Sequence, residues 1–340
     1  MPIYQQGQPR LSSPARRQKA ANLVLLPTTE AMLQCFAQYL NLNVADGDAA
    51  PDTITTYNRR VHQYLAWCQQ NQITPAHADK EAILLFRSYL IKQRKQKPNT
   101  IALTLVVIRR FYAACLGKNL VKENPVIGVK PPRSKVKQGE RITYLTLSQL
   151  ELVLLTIGND GSLKILRDRA LFSLMALEGL RSVELWRANL GDFHSREGQS
   201  FLKVEGKSQI RTVPVRADIV RLLEQYKNAR KQAGEELNRQ SPLMISLSNQ
   251  TKRERLSRRG IEYIVDGYLE KTDLKRIDNQ QSRSTHSLRH TAGTLGLAGG
   301  SSLRQVQELL GHSDPKTTAI YAHITERYEN NPAKGIDVKI

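Results

Sequence analysis

The side chains best suited to chemistry lie in four short stretches in the second half of the chain. GLRSVEL (179–185) carries Arg181 and, three residues on, Glu184. An expected hairpin turn at 206–209 carries Lys207. HSLRH (286–290) sets His286 and Arg289 on adjacent turns of one helix face. LGHSDPKTTAIY (310–321) places His312 ahead of a helix that contains Tyr321. Each stretch alone has an ordinary explanation. An Arg-x-x-Glu is most often a surface ion pair worth little, a turn lysine is usually just exposed, a helical histidine is commonly structural, and a tyrosine can be a core aromatic.

Taken together they supply the parts that phosphodiester transesterification requires. A phosphodiester carries one negative charge, and its pentavalent transition state gathers more on the non-bridging oxygens. The guanidiniums of Arg181 and Arg289 can grip those oxygens through donors of fixed geometry. The imidazoles of His286 and His312 can add hydrogen bonds or handle protons. Tyr321 is a candidate nucleophile once its proton is taken or its phenolate is stabilised by the cationic pocket. The departing 5′ oxygen of DNA is a poor leaving group, and Lys207, whose pKa neighbouring cations would lower, suits the general acid. Glu184 is left to orient an active-site arginine or histidine.

Rival chemistries fit less well. His286 and His290 are four apart, a helical metal-ligand spacing to which His312 could add a third ligand. Yet there is no HExxH and no acidic cluster for a two-metal nuclease, so no metal site is assigned. Gly206-Lys207-Ser208 invites comparison with a phosphate-binding loop, but position 201 is Phe where that motif needs glycine. A non-catalytic DNA-binding protein reading its site through a helix-turn-helix around 303–321 is the alternative from another class. It leaves the paired arginines, Lys207 and the placement of Tyr321 without a purpose.

The elements that must position these residues follow from the rest of the chain. With 340 residues, 40% of them hydrophobic, two domains are expected, with enough apolar material for two cores. Residues 1–27 lack hydrophobic periodicity and read as a flexible basic tail. Residues 28–130 show apolar side chains at helical spacing: Ala31, Leu33, Phe36 and Leu40; Tyr57, Val61, Tyr64 and Leu65; Ile83 to Leu90; Leu103 to Ala114. That predicts four or so helices with basic residues such as Arg59, Arg60, Lys92, Arg94, Lys95, Arg109 and Arg110 among them. A Pro- and Lys/Arg-rich stretch at 131–142 reads as a basic linker. Beyond it, helices are expected at 146–155, 166–180, 219–229, 260–269, 286–297, 303–310 and from Pro315, where Asp314 is available as N-cap. Two short strands, 201–204 and 211–215, flank Lys207. The fold class is therefore mainly α: an all-helical N-terminal domain, then a mostly helical α/β domain (143–325) with a small antiparallel sheet, and a C-terminal tail (326–340).

Lys plus Arg number 51 against 31 Asp plus Glu, a net charge of +20. Such an excess is relieved by a polyanion, and nucleic acid leads because its binding releases counterions. The basic stretch at 250–260 reads equally as a phosphate contact or a solvated loop. No run of eighteen apolar residues suggests a membrane span, and no apolar segment follows Arg16, Arg17 and Lys19 to make a secretory leader. Cys35, Cys68 and Cys115 are scattered among apolar neighbours. Buried thiols in a reducing, cytoplasmic compartment fit them better than disulfides or zinc.

In this order and spacing, Arg181, Lys207, His286 with Arg289, His312 and Tyr321 resemble the tyrosine recombinase (phage integrase) family. Its signature is an early Arg, a hairpin Lys, His-x-x-Arg, a His or Trp soon after Leu-Gly, and a Tyr nine residues later. The likeness runs from about 28 to 325 and includes Asn124-Pro125 at the end of the helical module, as in that family's core-binding domain. The resemblance implies catalytic roles for those six residues, with Tyr321 forming a 3′-phosphotyrosyl bond. It implies a two-domain clamp on double-stranded DNA and a homo-tetramer exchanging strands on two sites through a Holliday junction. It also implies that no cofactor, metal or ATP is needed, because the phosphotyrosyl linkage conserves the energy of the broken bond. The N-terminal tail is too short for a separate arm-binding domain, which favours a simple Xer- or Cre-like enzyme. A type IB topoisomerase shares the chemistry without strand exchange; the helical module and the short C-terminal segment favour the recombinase.

Overall fold

The computed structural model describes residues 27–47, 49–133, 142–206, 210–278 and 281–329. Lys207 lies outside them, as do the expected N-terminal tail apart from residue 27, most of the expected linker, and most of the C-terminal tail. The chain divides into two compact units, 1–134 and 135–340.

Among the described residues of the first unit, four α-helices follow one another: α1 (Thr29–Asn43), α2 (Pro51–Gln70), α3 (Lys80–Lys92) and α4 (Pro98–Gly117). Their starts are written in the sequence. Thr28 and Asp79 cap α1 and α3 by accepting from the amides of Ala31 and Ala82, and prolines open α2 and α4. Met32, Phe36 and Leu40 recur every fourth residue and bury one face of α1. They join Val61, Tyr64, Phe86, Leu90, Leu105, Ile108 and Phe111 in a single core. By length and composition α4 would pass for a membrane span, which the absence of an uninterrupted apolar run had not suggested. Here it is a core helix, with half of its most apolar window buried. The hydroxyls of Tyr64 and Tyr112 meet at 2.7 Å, and Tyr112 donates to the Pro75 carbonyl at 2.8 Å. All three cysteines are free and buried in this unit. Arg59, Lys92, Arg94 and Lys95 are exposed.

The second unit comprises α5 (Leu147–Ile157), α6 (Leu163–Ala176), α7 (Ser182–Arg187), β1 (Phe193–Arg196), β2 (Gln199–Glu205), β3 (Ile210–Val215), α8 (Ala217–Gln232), α9 (Arg258–Lys271), α10 (Thr285–Ala298), α11 (Leu303–Leu310) and α12 (Pro315–Glu329). The strands form an antiparallel sheet in the order β1-β2-β3. Sequence alternation finds β2 and β3, whose Leu202, Val204, Val213 and Val215 face the core. It misses β1, which buries no side chain fully. Helix α6 is buried on most of its circumference and is the centre of the core. Its one deep charge pair, Arg167 with Asp168 at 2.7 Å, is completed by the Tyr268 hydroxyl, which donates to Asp168 at 2.9 Å.

The helix expected to run to Leu180 stops at Ala176. Gly179 takes a left-handed φ of 66°, and the Leu180 amide donates back to the Leu174 carbonyl at 3.1 Å, which turns the chain into α7. A methyl group on Gly179 would also stand 2.5 Å from Leu310 Cδ2. Gly179→Ala is therefore expected to destabilise the protein by about 2 kcal/mol, from the positive φ and overpacking together. Urea denaturation of the two proteins measures it, and equal midpoints would contradict it.

Candidate functional site

Helix α7 is short, and its start is the first fixed point of the site. Arg181 caps it, and Glu184, on the first turn, accepts from the Arg181 amide at 2.8 Å and from its guanidinium at 2.6 Å. Glu184 is 1% exposed and also accepts from Arg211 of β3, at 2.9 Å from Nη2. Burial alone would raise the Glu184 carboxyl, but the hydrogen bonds and charges of Arg211 and Arg181 hold it below its ordinary 4.5. Arg211 reaches further, donating to the carbonyl of Leu309 at the end of α11. It lies directly beneath Gly311, where a Cβ would meet Arg211 Cδ. Gly311 adopts φ 60° and ends α11, so that the next residue, His312, leaves the helix in a fixed direction.

Arg289 is 2% exposed on α10 and donates to the carbonyls of Gly179 and Leu310. Both acceptors belong to the turns that deliver Arg181 and His312. Burial, then the charge of Arg181, lowers its pKa to about 9, which still leaves it cationic at neutral pH. His286, one turn earlier, is exposed by area. Partial desolvation and then Arg289 and Arg181 lower its pKa.

Helix α12 starts as expected. The Asp314 carboxylate accepts from the Lys316 amide at 2.9 Å, with Pro315 at the first position. His312 Nδ1 lies 2.9 Å from the hydroxyl of Thr318, a fully buried residue, and the His312 ring stacks on Tyr321 with centroids 6.3 Å apart and planes 10° apart. Burial, followed by Arg289, Arg181 and Arg211, lowers His312 to about 4. Tyr321 is 2% exposed. Its ring lies against Gly293 of α10, where a Cβ would be 3.0 Å from two ring atoms. Burial raises the phenol's pKa, while Arg289 and Arg181 pull it down without cancelling the rise.

Arg181, Glu184, Arg289, His312 and Tyr321 are thus tied into one network of contacts, with His286 within the field of its arginines. Lys207 is not among the described residues; the strands that flank it are paired as far as Glu205↔Ile210. Two members escape a reading by motif. Arg211 shares the inward face of β3 with Val213 and Val215, and a charged residue at that register position was the available signal. His290, weighed only as a metal ligand, places Nδ1 2.7 Å from the Tyr321 hydroxyl. The basic stretch at 250–260 is partly committed elsewhere. Arg255 donates to the carbonyls of Trp186, Arg187 and Ala188 and to Asn189, and Arg253 to those of Ala233 and Gly234.

The arrangement concentrates positive charge around a buried phenol, which suits binding an anion whose charge grows as the phenol reacts. Glu184 is the carboxylate that both Arg181 and Arg211 share. Its lowered pKa means that its stabilising contribution is complete above pH 4.5 and is lost as the pH falls through its folded-state value. Glu184→Gln should therefore cost about 3 kcal/mol at pH 7, with the gap narrowing towards pH 3. Denaturation curves at the two pH values test this, and a gap that widens in acid would refute it.

Residues 143–327 match the model of the phage integrase family, and residues 33–122 match that of the phage integrase N-terminal SAM-like domain. The chain is similar to tyrosine recombinase XerD of Oceanobacillus iheyensis, 31% identical over 302 residues, covering 87% of this chain and 95% of that one. It is also similar to tyrosine recombinase XerC of Pelotomaculum thermopropionicum, 30% identical over 300 residues, covering 85% and 92%. Among solved structures its fold is similar to that of XerH bound to a palindromic difH substrate in a post-cleavage complex (TM-score 0.67, 20% identity, 90% of this chain and 84% of that one). It is likewise similar to the fold of a lambda integrase tetramer bound to a Holliday junction (TM-score 0.65, 16% identity, 88% and 78%). With its catalytic-domain match alone covering more than half of its length, the chain belongs to the phage integrase family.

Proposed function

We propose that this protein is a site-specific DNA recombinase that cuts and rejoins DNA through a 3′-phosphotyrosyl intermediate on Tyr321. The observation that carries the reading is the seat of Tyr321. A buried tyrosine on α12 stacks on His312, within the field of Arg289 and Arg181, in a chain of this family. Nothing in a DNA-binding protein without chemistry calls for that combination, and the curated relatives are named recombinases.

In this reading Arg181 and Arg289 hold the non-bridging oxygens of the scissile phosphate. His286 and His312 add hydrogen bonds as charge develops there. Glu184 does not touch DNA; it fixes Arg181 through the bond that caps α7. Lys207, on the turn between β2 and β3, donates the proton that the departing 5′ oxygen needs. The guanidiniums neutralise the phosphate, so the mechanism calls for no metal, and the phosphotyrosyl bond stores the energy for rejoining, so it calls for no ATP.

Residues 28–130 would serve as the core-binding domain and 143–325 as the catalytic domain, joined by the linker at 131–142 to close around duplex DNA. The exposed cations of the helical unit and the net charge of +20 support a polyanionic partner. Two recombination sites held by a homo-tetramer would exchange strands through a Holliday junction, with the tail at 326–340 docking on a neighbouring subunit. This work belongs in the cytoplasm, on the nucleoid when DNA is bound, and the scattered free thiols suit a reducing compartment.

Tyr321→Phe should bind its DNA site as tightly as the parent yet give no SDS-resistant protein–DNA complex on a nicked suicide duplex; a complex that persists would remove Tyr321 as nucleophile. Lys207→Ala should cleave at least about a hundredfold more slowly and recover on DNA with sulfur at the 5′ bridging position, because a thiolate leaves without a proton. No recovery would take the general acid away from Lys207.

A further inference from the structure

The family reading leaves one step open: where the proton of Tyr321 goes. Burial keeps the phenol protonated at neutral pH, so attack on phosphorus needs an acceptor close to its oxygen. His312 is turned away from that task, since its Nδ1 faces the Thr318 hydroxyl and its ring lies parallel to the tyrosine ring. His286 stands edge-on to His290, with ring centroids 5.0 Å apart. His290 is bonded to the phenol, Nδ1 to Oη at 2.7 Å, a length at which a proton passes directly.

Resting on the function proposed above, we propose that His290 is a catalytic residue of the strand-transfer reaction, taking the Tyr321 proton at Nδ1 as the phenol attacks and returning it when the strands rejoin. Three observations support the direction of transfer. First, a phenol is a much stronger acid than a neutral imidazole N–H, so in a pair of neutral groups the Tyr321 hydroxyl donates and Nδ1 accepts. Second, His290 is neutral in the resting protein. Burial, then the charges of His286, Arg289 and His312 around it, lowers its pKa to about 4. Third, a phosphate entering between Arg181 and Arg289 brings negative charge into this cluster. That raises the basicity of the imidazole when it is needed. Packing fixes the geometry as well. Gly293, one turn beyond His290 on α10, leaves room for the tyrosine ring to lie against the helix beside His290.

The step balances. The Oη–H bond breaks and its proton moves to Nδ1. Oη forms a bond to phosphorus as the P–O5′ bond breaks, and the 5′ oxygen takes a proton from the general acid assigned to Lys207. On rejoining, the 5′ hydroxyl gives up its proton to that same group and attacks phosphorus. The phenolate leaves and recovers its proton from the imidazolium of His290.

The test is single-turnover cleavage of a nicked suicide duplex carrying the site recovered by binding selection. Two variants are compared with the parent, with DNA affinity measured alongside. His290→Asn presents an amide oxygen near the place of Nδ1 and can hold the hydroxyl, but it is not a base. His290→Ala removes both functions. Both are expected to cleave about a hundredfold more slowly than the parent, and imidazole added to the Ala variant should restore the rate in proportion to its concentration. An Asn variant within about threefold of the parent would reduce His290 to a positioning role and overturn the proposal. So would an Ala variant that imidazole leaves unchanged, or one that cleaves faster because a resting-state latch has gone. If the Ala variant fails to bind DNA, the Asn variant decides alone: slow cleavage at parental affinity supports the proposal, and parental rate overturns it. Failure of the parent protein to form any covalent adduct would instead sink the recombinase reading itself, a different result from any of these.

Discussion

A carboxylate shut away from water is tolerated only while its counter-charges stay in place, and Glu184 is in that position. Its oxygens take bonds from Arg181 and Arg211 and from the amide that begins α7. Through Arg211 the same charge is connected to the end of α11, because that guanidinium also holds the Leu309 carbonyl. Arg289 then binds the carbonyls of Gly179 and Leu310, drawing the same two turns together from the other side. The cationic seat is therefore not a set of loose side chains gathered by a ligand. Its arginines are fixed by backbone carbonyls and one anion, so that an anion bound there would meet donors already in place.

That economy explains why several elements meet at so small a place. Helix α7 supplies a cap, β3 a cation, the α11 turn a glycine and a histidine, and α12 the tyrosine. The interior of α6 contributes no reacting group, but it ends at the left-handed glycine whose carbonyl receives Arg289. A few residues with φ beyond the usual range do what a longer loop could not, setting carbonyls towards guanidiniums at short range.

Much of this was legible in the sequence. The start of α12 followed from Asp314 and Pro315, and strands β2 and β3 from their alternation, whereas the caps Thr28 and Asp79 emerge only in the structure. The signature residues were recognisable because their types and order fit one chemistry. What could not be read is long-range. That Glu184 would serve Arg211 as well as Arg181 depends on a strand 27 positions away folding over α7. That the Tyr321 hydroxyl would face His290 depends on the packing of α12 against α10, which no local pattern encodes. The end of α6 was misplaced for a related reason. Leu177 and Leu180 continue an apolar helical pattern, and only the demand for a turn at Gly179 breaks it. Strand β1 buries too little to leave a periodic trace.

Gly293 shows how such a site constrains the rest of its helix. A glycine inside a helix weakens it by roughly 0.5–1 kcal/mol relative to alanine, and α10 accepts that loss in the turn that follows its most constrained residues. The vacancy left by the missing methyl is filled by the ring of Tyr321 and the side chain of Leu310. Helix α10 therefore works as a mould whose shape is completed by α12. Any displacement of the Tyr321 ring from this place would uncover a hollow on α10 that Leu310 or solvent must occupy. The freedom of Tyr321 is thus set by how readily that hollow refills, so the smallest residue in the helix governs the mobility of the aromatic ring packed against it.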